Sequence, residues 1–141
     1  MTIEQTILLV DDYAPNLLSL EAVLGDPAWT LLKAGSGAEA LRLVADHDIS
    51  LVLLDVQMPD MDGFEVATML RKNRKTHNVP ILFLTAVRKE DSHIEKGYQA
   101  GGVDYLCKPV NPGILRAKVE FFMRLDRQRR ELEQQLREAK G

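Results

Sequence analysis

Short apolar runs separated by stretches of helical period constrain this chain more than any other feature. The runs are Thr6 to Val10, Trp29 to Ala34, a third ending at Asp55, Ile81 to Thr85, and a fifth running from Val103 to Cys107 and ending at Lys108. Each is about five residues long, too short for a buried helix and right for a strand covered on both sides. Between them lie segments with apolar residues three and four apart. Leu17, Leu20 and Leu24 share one face of the first helix, which has Pro15 near its start. Ala38, Leu41 and Val44/Ala45 are expected on the inner face of the second, and Phe64, Ala67 and Leu70 on that of a third starting after Gly63. A fourth helix, from Glu90 to Ala100, is interrupted by Gly97, and Gly101-Gly102 reads as its stop.

Strands alternating with helices predict an α/β fold with a parallel sheet. Five strands and five helices fit a flavodoxin-like, doubly wound five-stranded parallel sheet, order 2-1-3-4-5, with an extended C-terminal helix. Ligands of such sheets bind beyond the carboxyl ends of the strands, where the strand order reverses between the first and third strands.

The residues at those ends are polar. The first strand runs into Asp11-Asp12, the third into Asp55, the fourth into Thr85 and the fifth into Lys108-Pro109. Clustered carboxylates repel one another unless a cation joins them, and two carboxylates with a backbone carbonyl suffice for Mg²⁺. A carboxylate in such a site can act as a nucleophile toward phosphorus. Lys108 and the Thr85 hydroxyl are available to meet the phosphoryl oxygens. Each residue also has a plainer use. Asp11-Asp12 can cap a helix, Asp55 can form a turn, Thr85 can be an N-cap, and Lys108 can be a solvated charge.

Other features narrow the field. The 141 residues suit one domain, and no apolar run approaches membrane-spanning length. The N-terminus has neither the basic region nor the apolar core of a signal peptide. A formal charge of −3 argues against nucleic acid as a partner. The basic run Arg71-Lys72-Asn73-Arg74-Lys75 reads as the solvated last turn of a helix. The single cysteine, Cys107, fits a reducing cytoplasm and is expected to be buried as a small hydrophobe. His47, His77 and His93 lack metal-ligand spacing and are expected at the surface. No phosphate-binding glycine loop is present.

The segments Leu8-Leu9-Val10-Asp11-Asp12, Leu53-Leu54-Asp55 through Asp62-Gly63, Leu84-Thr85-Ala86 and Gly102-Val103-Asp104-Tyr105-Leu106-Cys107-Lys108-Pro109 occur in order. Over roughly residues 5 to 123 the chain resembles the response-regulator receiver domains of two-component signalling. The resemblance implies that Asp55 accepts a phosphoryl group from a histidine kinase or phosphotransfer protein. Asp12, Asp55 and the Gln57 backbone carbonyl would bind Mg²⁺, with Asp11 acting through a water. Thr85 and Lys108 would bind the phosphoryl oxygens, Tyr105 would be the aromatic switch, and the Lys108-Pro109 bond would be cis. Gln57 stands where Met is usual, and Val87 lies two residues after Thr85; both positions look like modulators of phosphoryl lifetime. Similar receivers precede larger signalling modules.

On this reading residues 1–123 form the receiver and 124–141 a helical extension. Ile114, Leu115, Val119 and Phe122 would pack on the sheet. Phe122, Leu125, Arg129, Leu132, Leu136 and Ala139 would form an a/d seam, flawed at Arg129, that pairs with a second copy. Two other readings differ in class. One is a phosphorylation-independent coiled-coil module. The other is an aspartyl-phosphate phosphatase, which would need Asp-x-Asp where this chain has adjacent Asp11-Asp12. No separate substrate turnover is expected.

Overall fold

In the computed structural model, residues 2–86, 95, 99 and 104–141 are described. The elements are β1 (Thr6–Val10), α1 (Ala14–Leu24), β2 (Thr30–Ala34), α2 (Gly37–Asp46), β3 (Leu51–Asp55), α3 (Gly63–Lys72), β4 (Ile81–Thr85), β5 (Asp104–Cys107) and α4 (Pro112–Lys140). The five strands form one sheet in the order β2-β1-β3-β4-β5, all pairings parallel. The expected helix from Glu90 to Ala100, its stop at Gly101-Gly102, Val87 and His93 lie outside the described residues, although Glu95 and Gln99 are themselves helical.

Strand periodicity divides the core in two. Leu8, Val10, Val52, Leu54, Ile81, Phe83 and Tyr105 face α2 and α3. Ile7, Leu9, Leu51, Leu53, Leu82, Leu84 and Leu106 face α1 and α4. Each central strand is covered on both sides, which is why β3 and β4 are buried at every position.

Local chemistry sets where the helices start. Ser36 caps α2 by accepting from the Glu39 N–H at 3.1 Å, and Glu39 accepts from the Gly35 N–H at 2.7 Å. This start rotates α2 away from the expected phase. Gly37, Ala40 and Val44 are buried, whereas Ala38 and Ala45 are exposed. The turn fits because Gly37 lies against Val66 and Met61, where a side chain would collide. Asp62 and Glu65 form a reciprocal capping box at α3.

Three further expectations change. Cys107 is exposed, because it ends the edge strand β5. Arg71 is not a solvated charge: it donates to the carbonyls of Thr76 (3.1 Å) and Val79 (2.7 Å), and burial lowers its pKa. On α4, Leu115, Val119 and Met123 are buried and Phe122 is partly so, while Ile114 points outward. Two smaller points concern the rest. β2 starts at Thr30, since the Trp29 N–H turns back to the Asp26 carbonyl at 3.4 Å while the Thr30 N–H reaches the Gln5 carbonyl at 2.9 Å. His47 and His77 are exposed. No helix among the described residues is long and apolar enough to cross a membrane.

One connection was not foreseen. Asp126, on α4, is buried and accepts from the Gln5 amide at 3.0 Å, from Arg129 at 2.9 Å and from Arg130 at 2.7 Å. Arg130 also donates to Asp48 at 2.7 Å, and the Gln5 amide to the Met123 carbonyl at 2.8 Å. The network fixes the rotation of α4 where it passes the amino ends of the strands.

Candidate functional site

The β1–β3 pairing aligns Val10 with Leu54, so Asp11 and Asp55 emerge side by side. Asp11, Asp12 and Asp55 each place a carboxylate oxygen within 4.8 Å of the others. They are the three strand-end acids of the sequence. The β3–β4 and β4–β5 pairings, which set Asp55 beside Leu84 and Thr85 beside Cys107, bring the remaining groups to the same edge. Thr85 is buried, and its carbonyl accepts from the Lys108 N–H at 2.7 Å. The Lys108-Pro109 bond is cis.

The Lys108 ammonium lies 3.1 Å from Asp11 Oδ2 and 3.1 Å from Asp55 Oδ1. It is therefore not a free surface charge. Asp11 is also tied locally, accepting from the Tyr13 N–H at 2.9 Å and the Asn16 amide at 3.1 Å, so it orders the start of α1 as well. Burial raises the pKa of Asp55, and the charge of Asp11 adds to the rise. The Lys108 hydrogen bond and charge and the Gln57 N–H oppose it, and the rise prevails. For Lys108, burial acts to lower the pKa, but bonding to Asp11 and Asp55 outweighs it and the pKa is raised.

Three carboxylates and one ammonium leave two negative charges in excess. All donors are hard oxygens, the type that divalent magnesium prefers. The acidic cluster therefore fits a small divalent cation by charge and by donor chemistry.

The loop after β3 is shaped closely around Asp55. Gly63 donates to the Val56 carbonyl at 2.9 Å, and a Cβ on it would collide with the Asp55 carbonyl oxygen and Val56. Asp60 takes φ 68°, a left-handed conformation that Asp tolerates better than most residues. Gly63→Ala is expected to lower stability by about 2 kcal/mol in urea unfolding, the usual cost of forcing atoms into a filled space.

Tyr105 is buried, its ring 5.3 Å from Phe83, which in turn meets Phe64 edge-on at 5.1 Å. Its ring therefore lies inside the α3 face of the sheet, one strand away from the Thr85 end. Among the described residues, the Asp126 network is the largest feature that the sequence did not clearly signal. Its signals were weak: an acid and two arginines spaced i, i+3 and i, i+4, with partners far away in the chain.

Residues 7–120 match the response regulator receiver domain family. The chain belongs to that family. It is 36% identical over 118 residues to a probable cyclic di-GMP phosphodiesterase of Vibrio cholerae, covering 84% of this chain and 26% of that protein. It is 35% identical over 118 residues to the transcriptional regulatory protein SrrA of Staphylococcus aureus, covering 84% of this chain and 47% of SrrA. The receiver thus spans between a quarter and a half of the length of these relatives. The chemotaxis protein CheY4 of Vibrio cholerae superposes with a TM-score of 0.80 at 28% identity, covering 85% of this chain and 99% of that one. A beryllofluoride-activated DrrB receiver domain superposes with a TM-score of 0.77 at 30% identity, covering 86% and 99%. The sheet order and the acidic pocket of Asp11, Asp12 and Asp55 are those of a phosphoacceptor switch domain.

Proposed function

We propose that this receiver takes a phosphoryl group on Asp55 from a phosphohistidine, supplied by a histidine kinase or phosphotransfer protein in the cytoplasm. The observation that carries the reading is Lys108, whose ammonium is held at 3.1 Å between Asp11 and Asp55 at the mouth of the sheet. In the transfer a carboxylate oxygen of Asp55 forms a bond to phosphorus while the phosphorus–nitrogen bond breaks and the imidazole leaves. Asp55 is the carboxylate that the Lys108 ammonium addresses at the sheet's mouth, which makes it the nucleophile of this step. Lys108 neutralises one phosphoryl oxygen, and the Thr85 hydroxyl donates to another.

Asp12, Asp55 and the Gln57 carbonyl would hold Mg²⁺, with Asp11 one water removed. When bound, the ion supplies charge neutralisation for the phosphoryl oxygens. Thr85 then shifts toward the phosphoryl group, and the inward position of Tyr105 against Phe83 is fixed. The change biases an equilibrium between two arrangements of the domain. Residues 1–123 would act as the switch and 124–141 as the extension through which its state reaches the association of the α4 surface.

Incubation with a small-molecule phosphodonor tests the reading. Incorporation that is labile in both acid and alkali, requires Mg²⁺ and disappears with chelator is expected; a phosphoester would survive acid. Incorporation that persists in chelator would contradict it. A second expectation concerns lifetime. Gln57 is exposed beside Asp55, where its amide can order a water near the acyl phosphate. Gln57→Met should change the dephosphorylation rate by about tenfold, below the ~10²–10⁴-fold of a general base; an unchanged rate removes Gln57 from this role.

A further inference from the structure

Asn16 lies in the first turn of α1 and turns its amide toward the acidic cluster, where it donates to Asp11 Oδ2 at 3.1 Å. Chemistry fixes the direction of that bond, because an ionised carboxylate only accepts and the asparagine must present its NH₂. Lys108 donates to the same oxygen at 3.1 Å, and to Asp55 Oδ1 at 3.1 Å. The other oxygen of Asp11 is taken by the Tyr13 N–H at 2.9 Å. Asp11 is 1% exposed, so bulk water is in no position to replace these donors.

The chemistry at Asp55 makes competing demands on Lys108. Before phosphoryl transfer the ammonium balances two carboxylates. Afterwards the same ammonium must meet a phosphoryl oxygen. The Asp55 side chain is 5% exposed, so the new group has room only on its open side, and the ammonium shifts outward to reach it. Its hold on Asp11 Oδ2 loosens as it does so. A buried acceptor that loses its donor is penalised, more strongly when it is charged. Asn16 stays on that oxygen throughout, and keeps Asp11 satisfied and in place while Lys108 is engaged elsewhere.

We infer that Asn16 is a positioning residue for phosphoryl capture: its amide holds Asp11 Oδ2, which frees Lys108 to turn to the phosphoryl group. This role rests on the phosphoacceptor reading and deepens it. A plainer role, ordering the start of α1 through Asp11, would support both positions of Lys108 alike.

Calorimetric titrations of the full chain separate the two roles. One uses Mg²⁺ alone, during which Lys108 keeps both carboxylates. The other uses beryllofluoride, a phosphoryl mimic, at saturating Mg²⁺. Asn16→Ala should weaken beryllofluoride binding about tenfold, the worth of one hydrogen bond to a charged group, and leave the Mg²⁺ affinity nearly as it was. Asn16→Leu fills the same space without a donor and is the better helix former, so it serves where Asn16→Ala folds poorly; it should show the same split. Equal weakening of both ligands in these variants would reduce Asn16 to ordering the acidic cluster, and unchanged beryllofluoride binding would remove its role altogether. Either result overturns the inference while the parent chain still binds the mimic. A parent chain that binds Mg²⁺ but no beryllofluoride overturns the phosphoacceptor reading itself, and this role with it.

Discussion

Asp55→Asn yields a protein that takes up no phosphoryl group and yet unfolds at a higher temperature than its parent. The first effect follows from removing the only nucleophilic oxygen that Lys108 addresses beyond Asp11, and it should exceed 10³-fold, on the order of losing a catalytic nucleophile. The second follows from electrostatics. The Asp55 side chain is 5% exposed and its carboxylate is disfavoured first by burial and then by Asp11, against the help of Lys108. Its folded pKa is raised, so the native state holds a proton more tightly than the unfolded chain. Stability therefore falls as pH rises from the unfolded pKa, near 3.8, through the folded one. At neutral pH the ionised group opposes folding. An uncharged amide of the same shape removes that opposition, with a gain of about 1 kcal/mol and about 4 °C in Tm. Thermal unfolding at pH 7 with phosphate incorporation measured on the same sample checks both. A lower Tm in Asp55→Asn would show that the Lys108 pairing outweighs the burial of the charge.

The largest loss of stability is expected at the other end of the sheet. Asp126→Ala should cost about 3 kcal/mol, because it leaves Arg130, with its side chain 15% exposed, short of a partner that is itself 5% exposed. It also leaves the buried Gln5 amide with the Met123 carbonyl alone. In guanidinium or urea unfolding the midpoint should fall with little change in slope. The pH dependence has the opposite sign to that of Asp55. Burial acts to raise the Asp126 pKa, but hydrogen bonds from Gln5, Arg129, Arg130 and Ser50 overcome it and the pKa is lowered. Its contribution is present above pH 3.8 and is lost as pH falls through the folded value below that. Asp126→Ala should therefore destabilise strongly at pH 7 and less at pH 3. An equal loss at both would mean that packing, not charge, holds α4.

The two ends of the sheet were unequally readable. The acidic end was legible because each participant terminates a five-residue apolar run, and strands in parallel register bring their ends together without any knowledge of side-chain packing. The network at the amino ends was not. Gln5 and Asp126 are 121 residues apart, and Asp48 and Arg130 are 82 apart, with no run or motif marking any of them. Within α4 the period was visible but the rotation was not, since Phe122 and Leu125 both satisfy an a/d pattern and only the docked helix shows which turns inward. Ala38 misled for a similar reason: where Ser36 caps α2 decides which alanines are covered. Cys107 followed its strand's apolar run, but a place at the end of an edge strand left it open to solvent.

The geometry makes one chemical group the centre of the whole arrangement, and that group can be trapped. An acyl phosphate on an aspartate is reduced by borohydride to homoserine, which peptide mass mapping locates. After incubation with a phosphodonor and Mg²⁺, homoserine at position 55 alone is the expected result. Homoserine at position 11, 12 or 60, or none at all under conditions where another receiver is labelled, would contradict the account.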